Sequence, residues 1–391
     1  VDTIELFAGG GGLALGLDEA GFTPVAVVEK DADSCQTLRT NWIGTMGKHL
    51  SLFDADIRHV DFRQWQDRVE LVSGGPPCQP FSIGGKHRGY RDERDMFPPA
   101  VQVVRTVRPK AFIFENVRGL LRKSFAKYFA YVLLQLQYPE LTRRNGDEWT
   151  EHHAQLEQHH TAGVERGLRY RVIFQKVNAA DFGVPQNRER VVIVGFRWDI
   201  KTRWSFPLAT HSQGSLEAAK WITGVYWEEH QIPRSRRPRT PAKIEHSLGR
   251  IESLPLSSRW RTVRDALCGL PDPRLPEALL FLNHRFQAGA RQYPGHTGSD
   301  IDAPAKTLKA GDHGVPGGEN MLAFMDGSVR YFTVRESARL QTFPDWYIFP
   351  SSWTESMRQI GNAVPVRLAK EIGVSVAGTL WKHERHHARS D

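Results

Sequence analysis

The sequence predicts an α/β fold, a mostly parallel sheet flanked by helices and joined to a second, smaller, loop-rich domain. Three observations predict it. Short apolar runs alternate with helix-length segments through the first half of the chain, the pattern of a parallel sheet covered on both faces. Several of those runs stop at glycine or at an acidic residue, where a strand hands over to a loop. And 391 residues are too many for one ordinary domain and fit two.

Thr3–Phe7 reads as the first strand and runs straight into Gly9-Gly10-Gly11-Gly12, after which Leu13–Ala20 reads as a helix stopped by Gly21. Thr23–Val28 is a second strand ending at Glu29. A helix through Ala32–Asn41 follows, then a weaker, acidic-tipped segment that ends near Asp56. Val69–Ser73 is a strand broken by Gly74-Gly75-Pro76-Pro77, and Ala111–Phe114 is a buried strand ending in Glu115-Asn116. Val172–Val177 and Val191–Phe196 complete the set. The stretch between these last two is too short for a crossover helix, so an antiparallel strand is expected there. Residues 140–168 are polar, carry the pairs His152-His153 and His159-His160, and read as a surface insertion. A solvated helical face accounts for those histidines more simply than a metal site does. Residues 1–196 therefore form the sheet domain. Residues 197–330, rich in Pro, Gly, Arg and Ser and containing the basic run Arg234-Ser235-Arg236-Arg237-Pro238-Arg239, form the loop-rich one.

Hydrophobic residues make up 40% of the chain and charged ones 25%, which excludes a wholly disordered or collagen-like protein. No apolar stretch approaches the roughly 20 residues that a membrane helix needs. Asp2 and Glu5 stand where a signal peptide would be basic and then apolar, so a soluble cytoplasmic protein without a membrane partner is expected. Three cysteines, Cys35, Cys78 and Cys268, are too few for a disulfide framework and point to a reducing compartment. The net charge is +8, and residues 197–330, with 19 basic and 14 acidic side chains, hold +5 of it. Charge alone leaves nucleic-acid binding and a plain solvated surface equally open.

The candidate chemistry sits at the ends of the strands. A glycine cluster after the first strand lets the backbone turn tightly and a ligand come close, although a bare turn would use glycine too. Gly9-x-Gly11-x-x-Ala14 satisfies the dinucleotide pattern, and Glu29 ends the next strand where it can accept from ribose hydroxyls. Asp56 and the apolar Ile57 supply the polar and the flat contact that an adenine ring needs. These features suit any adenosine cofactor. Cys78 narrows the choice. In Gly74-Gly75-Pro76-Pro77-Cys78-Gln79-Pro80-Phe81-Ser82 it lies just beyond a strand end, where open α/β sheets bind ligands, and three prolines stiffen its presentation. Glu115, at the end of the neighbouring apolar strand, should face it across the same crevice, partly desolvated and ready to act as a proton donor. The metal-ligand patterns of the sequence are weak, and no metal is expected.

These residues carry a resemblance. The chain resembles the cytosine-5 DNA methyltransferases of bacterial restriction-modification systems along nearly its whole length. The matching segments, in the family's order, are Phe7-Ala8-Gly9-Gly10-Gly11-Gly12, Pro77-Cys78-Gln79-Pro80-Phe81-Ser82, Glu115-Asn116-Val117, Gln186-Asn187-Arg188-Glu189-Arg190, Arg335-Glu336 with Arg339-Leu340-Gln341, and Gln359-Ile360-Gly361-Asn362-Ala363-Val364-Pro365. The resemblance implies a Rossmann-like sheet binding S-adenosylmethionine, with residues 197–330 as target recognition domain and 331–391 returning to the catalytic domain. It implies Cys78 as the nucleophile that adds to carbon 6 of a flipped-out cytosine, Glu115 on ring nitrogen 3, Arg190 on the base carbonyl, and Arg188 as a phosphate or carboxylate anchor. It further implies a cofactor held by Phe7, Ala8, Gly9, Gly10, Gly11, Gly12, Glu29, Lys30, Asp56, Ile57, Gly75, Pro77, Met96, Asn362 and Ala363. DNA would be met by Gln79, Ser82, Thr307 and Leu308, and by the loops around Gly311-Asp312-His313-Gly314 and Gly317-Gly318. Lys30 departs from the family, where an aromatic residue commonly follows the ribose-binding acid. The expected partner is double-stranded DNA, acted on by a monomer in the bacterial cytoplasm, with a cognate restriction endonuclease acting separately. Two other readings stay open at this point: an RNA methyltransferase of the transfer-RNA branch, against which the large variable domain argues, and a nucleotide-dependent dehydrogenase, which leaves Cys78, Arg188–Arg190 and Asn362 without a task.

Overall fold

The computed structural model describes residues 1–48, 50–77, 95–163, 166–201, 203–242, 244–245, 257–294, 297–310, 320–324 and 326–387, the last four by their backbone alone. The chain packs as two units. The first comprises residues 1–177, 189–206 and 369–391, and the second residues 178–188 and 207–368. Residues 331–368 thus pack with the second unit, and the return of the chain to the first begins at Ala369.

The first unit is built on a seven-stranded sheet of order β3-β2-β1-β4-β5-β7-β6. Its strands are β1 (Asp2–Leu6), β2 (Thr23–Glu29), β3 (Ser51–Asp54), β4 (Leu71–Gly74), β5 (Ala111–Val117), β6 (Tyr170–Asn178) and β7 (Glu189–Arg197). β3, β2, β1, β4 and β5 pair in parallel, and β7 runs antiparallel to β5. Successive side chains of a strand point to opposite faces. In β4 all four residues are buried, and in β5 all but the last. Both faces are therefore covered, which is why these strands are apolar without alternation. β5 and β7 approach closely because Gly195 lies opposite Phe112: a Cβ there would overlap the Phe112 ring. That ring also stacks on Phe114 at 5.3 Å and packs on Tyr170 at 5.2 Å.

Helix α1 (Gly12–Glu19) follows the glycine run, α2 (Ala32–Leu38) is capped by Asp31, and α3 (Phe97–Val107) starts on prolines in its first turn. α2 stops earlier than the apolar pattern predicts and continues as a wider π-helical turn, Arg39–Thr45. α4 (Ala126–Gln137) carries α5 (Trp149–Thr161), the helix inside the polar stretch. α5 is not a solvated face throughout. His152 is buried, with one ring nitrogen 2.9 Å from the Tyr131 hydroxyl and the other 2.9 Å from the Leu141 carbonyl, and His153 is buried against Tyr131 and Trp149. Burial lowers the affinity of both rings for a proton. No cluster that could hold a metal ion occurs among the described residues, and no helix there is long and apolar enough to cross a membrane.

The second unit holds short strands: β8 (His211–Ser212) with β9 (Ser258–Arg259), and β10 (Ser299–Asp300), β11 (Met321–Ala323) and β12 (Val329–Tyr331). Its helices are α6 (Gln213–Trp221), α7 (Val225–Glu229), α8 (Val263–Leu267), α9 (Val334–Leu340), α10 (Trp353–Asn362) and the start of α11 (Val366–His387). With so little backbone ladder, packing and ion pairs hold it. Leu216, Ala219, Tyr226 and Trp227 form a small core, and Asp302 takes a bidentate pair from Arg264 at 2.6 and 3.0 Å and a 2.7 Å bond from the Tyr226 hydroxyl.

Candidate active site

The strand order reverses direction between β1 and β4, so the loops leaving these two strands diverge and open a crevice at the carboxyl edge of the sheet. Phe7–Gly12 leaves β1 there, and Gly75-Pro76-Pro77 leaves β4. Glu29 ends β2, Asp56 lies just past β3, and Glu115 lies near the end of β5, all on that edge because these strands are parallel. β7 arrives from the other side. Because it is antiparallel, its first residues reach the same edge, and Arg190 sits opposite Val117, two positions along from Glu115. Long side chains bridge such a diagonal.

Backbone geometry marks the cofactor end. Gly9 and Gly11 adopt φ of 52° and 79°, and Phe7, an aromatic residue, holds φ of 55°. A non-glycine residue in this left-handed region is strained by about 1 kcal/mol or more, and such strain persists where surrounding structure enforces it. A Cβ on Gly9 would meet nothing within 4 Å, so space for a ligand lies directly over the main chain. Glu29 is held ready beside it. Its Oε2 accepts from the Gly9 amide at 2.7 Å, and its Oε1 from the amides of Lys30 and Asp31 at 2.8 and 2.9 Å. A carboxylate has about four acceptor positions, so one on Oε2 remains for a ribose hydroxyl. The residues present fit an adenosine cofactor.

Asp56 is more engaged than its sequence position implies. It caps the 3-10 turn Ile57–His59 and pairs with Arg58 at 2.7 and 2.8 Å. The Arg58 guanidinium holds its carboxyl well below the usual carboxylate range. Ile57 is buried, and as the first residue of that turn its N–H has no partner within the turn. Met96 is buried at the head of α3, its N–H 3.4 Å from the Pro77 carbonyl. Lys30 is exposed.

At the other end, Glu115 and Arg190 form a buried ion pair, 2.7 Å from Oε1 to Nε. Burial pushes the Arg190 guanidinium below the ordinary arginine range, and the adjacent Glu115 charge pulls it back. Gly75 lies against this pair: a Cβ there would stand 3.5 Å from Glu115 Oε2. Cys78, Gln79 and Ser82 lie outside the described residues, as do the loops at 311–314 and 317–318. Of the other two cysteines, Cys35 is buried and its thiol is pushed up to about 12, chiefly by desolvation, which makes it inert, while Cys268 is exposed at the end of α8 in the second unit.

Two residues escaped sequence reasoning. Glu5, buried within β1, accepts the Ala14 amide of α1 at 3.0 Å through Oε1 and meets the Ser73 hydroxyl of β4 at 3.2 Å through Oε2. Desolvation pushes its carboxyl up to about 8. Asn116 is buried and donates to the Pro76 carbonyl at 2.9 Å. The only available signal was an acid inside an otherwise apolar strand for the first, and adjacency to Glu115 for the second.

The remaining motif residues lie in the second unit and do different work there. Arg188 is fully buried. Its guanidinium donates to the carbonyls of Leu308, Gly361 and Ala363 at 3.1, 2.8 and 2.9 Å, which leaves it tied to main chain rather than reaching for a phosphate or carboxylate. Leu308 is likewise buried and offers no surface to DNA. Its N–H donates to Gln186 Oε1 at 3.0 Å, and the Thr307 hydroxyl donates to the Asn187 carbonyl at 2.6 Å. Gln341 completes the knot, donating to the carbonyls of Ile360 and Ala363 at 2.7 and 3.2 Å. Asn362 closes α10 and is exposed, next to the buried Ala363. Three of the sequence motifs thus converge on one buried network.

Comparison with known proteins bears on the family and the fold. The family model described as C-5 cytosine-specific DNA methylase matches residues 1–138 and 148–377, with the internal gap at the start of the polar stretch. The chain is 30% identical over 384 residues to Type II methyltransferase M.PspPI of a Psychrobacter species, covering 96% of this chain and 79% of that one. It is 31% identical over 381 residues to Type II methyltransferase M.AplI of Arthrospira platensis, covering 96% and 86%. Among solved structures, it is similar to a prophage-encoded DNA modification methyltransferase of E. coli, with a TM-score of 0.60 at 19% identity over 97% and 99% of the two chains. The S. pombe Dnmt2 methyltransferase shares the fold with a TM-score of 0.54 at 18% identity, covering 98% and 99%.

Proposed function

The chain belongs to the C-5 cytosine-specific DNA methylase family, and from that membership we propose that it methylates carbon 5 of cytosine within a specific sequence of double-stranded DNA. Its relatives are Type II methyltransferases, which supports a place as the modification enzyme of a restriction-modification system, in the bacterial cytoplasm and alongside a separate endonuclease. The observation that carries the reading is the ion pair of Glu115 and Arg190 at the same sheet edge as the Gly9–Glu29 cradle.

S-adenosylmethionine, when bound, supplies an electrophilic methyl group for carbon 5. Phe7 would pack on its adenine, Glu29 would accept from its ribose, and the turn at Asp56 and Ile57 would meet the adenine edge. The chain's own residues make the ring reactive. Carbon 5 of cytosine is a poor nucleophile within an electron-poor aromatic ring. Addition of the Cys78 thiolate to carbon 6 forms a C–S bond and moves the ring electrons onto carbon 5. Glu115, protonated as the base binds, donates to ring nitrogen 3, where negative charge develops, and Arg190 orients Glu115 and meets the ring carbonyl. After methylation, loss of the carbon 5 proton to solvent returns an electron pair to the ring and expels the thiolate. Cys78 cannot reach a stacked base, so the cytosine is flipped out at a cost of a few kcal/mol. The variable module spanning 197–330 would read the target sequence, with the buried Arg188–Gln341 network as its footing.

Bisulfite sequencing of DNA from a host expressing the protein tests activity, base and site together. Protection of cytosines at one recurrent sequence is expected, and uniform conversion would overturn the proposal. A duplex carrying 5-fluorocytosine at that site tests the covalent route, because the C–F bond blocks elimination: an adduct through Cys78 is expected, and an active enzyme that forms none would exclude it.

A further inference from the structure

Resting on that reading, we propose that Asn116 is a positioning residue that sets the station of the Cys78 loop against Glu115. Its carboxamide is buried and bonded through both its oxygen and its nitrogen. Oδ1 accepts the Val117 amide at 2.9 Å, which fixes which way the group faces, and Nδ2 then donates to the Pro76 carbonyl at 2.9 Å. Pro76 is two residues before Cys78, and Asn116 is the residue after Glu115. One side chain therefore bolts the loop of the nucleophile to the strand of its partner acid. The neighbouring contacts leave this bond a specific task. Main-chain pairing of β4 with β5 runs from Leu71 opposite Ala111 and ends at Gly74 opposite Phe114, short of Gly75, Pro76 and Pro77. Proline supplies no N–H, so Pro76 and Pro77 can be held only through their carbonyls. The Pro77 carbonyl takes the Met96 amide at 3.4 Å, a longer bond that joins the two flanks of segment 78–94 to each other rather than to β5. Among the described residues the tie from this turn to the Glu115 strand is Asn116.

The consequence is kinetic. A donor that fixes a loop acts on how the nucleophile meets the ring, and a misplacement of about 1 Å costs on the order of 100-fold in rate. The Gly9–Glu29 cradle, which would supply the main grip on S-adenosylmethionine, is built at the ends of β1 and β2 and shares no bond with Asn116, so affinity for S-adenosylmethionine should stay put.

The test is the rate of covalent trapping on a 5-fluorocytosine duplex, measured with the full-length protein together with its dissociation constant for S-adenosylmethionine and its thermal unfolding. Asn116→Ala should trap about 100-fold more slowly than the parent, with cofactor affinity within twofold. Asn116→Asp keeps the volume, so the test survives a misfolded alanine variant, and it adds a signature that structural damage lacks. The ionised carboxyl cannot donate to the Pro76 carbonyl, but the protonated one can. The ratio of its trapping rate to that of the parent should therefore rise at least fivefold between pH 8 and pH 5.5. Trapping by Asn116→Ala within threefold of the parent overturns the proposal, as does a loss that appears in cofactor affinity, or a flat ratio for Asn116→Asp. An active parent that forms no adduct overturns the covalent route itself, and with it this role.

Discussion

Glu5→Gln offers the sharpest physical test. Glu5 is almost wholly inaccessible, and its two oxygens join α1, which starts the cofactor cradle, to β4, which leads to Cys78. Its carboxyl is raised from 4.5 to about 8 in the folded chain, mainly by desolvation. A group whose folded pKa lies above its unfolded value stabilises the fold fully below the unfolded value. That stabilisation fades as pH rises and is lost through the folded pKa. The window thus runs from about pH 4.5 to about pH 8. At about 1.4 kcal/mol per pKa unit, roughly two units of linkage remain at pH 6 and essentially none at pH 9, so the parent should lose about 3 kcal/mol between them. Glutamine mimics the protonated acid and carries no such dependence. Urea unfolding of both proteins at pH 6 and pH 9, at constant m, measures the difference. The parent should weaken by about 3 kcal/mol more than the variant over that interval. Parallel losses in the two proteins would refute the claim that Glu5 is protonated in the fold at neutral pH.

Three further outcomes follow from the same geometry. Glu115→Gln should cut methyl transfer at least 100-fold with cofactor affinity within threefold, and it should cost about 3 kcal/mol in denaturant unfolding because Arg190 is left buried without its counter-charge; collapse of cofactor binding instead would make Glu115 a scaffold residue. Arg188→Met removes three donors from buried carbonyls and should destabilise the protein by at least about 3 kcal/mol, read by chemical denaturation, whereas a loss of activity at unchanged stability would return Arg188 to the reacting centre. Replacing residues 197–330 by the corresponding module of a relative should move the bisulfite-protected sequence to that relative's, and an unchanged sequence would remove target reading from this module.

Much of the fold was legible because its signals are local. Strands buried on both faces must be largely apolar, and strands that end at one edge must turn there, so β1, β2, β4 and β5 announce themselves as apolar runs closed by glycine or acid, and β7 as an apolar run alone. The limits of elements were less legible: α2 gives way to a π-helical turn at Arg39, and α5 buries His152 and His153 because Tyr131 of α4 packs against both, a partner that lies outside the segment. The candidate site divided along the same line. Gly9, Glu29 and Glu115 sit at strand ends, and parallel pairing carries every strand end to one edge.

By itself, then, the sequence determined the sheet, the edge at which chemistry gathers, and the residue types present there, since each depends on short-range pattern. Only the tertiary structure decided what each side chain faces. Arg188 and Arg190 are two residues apart on one motif, yet Arg190 pairs with Glu115 while Arg188 spends its donors on three carbonyls far along the chain. Glu5 carries no local sign of its burial yet joins α1 to β4, and Leu308 looks like part of a reading surface and is buried. The physical reason is that burial and pairing are set by the strand register and by contacts between distant segments, and neither leaves a mark on the residues that flank them in sequence.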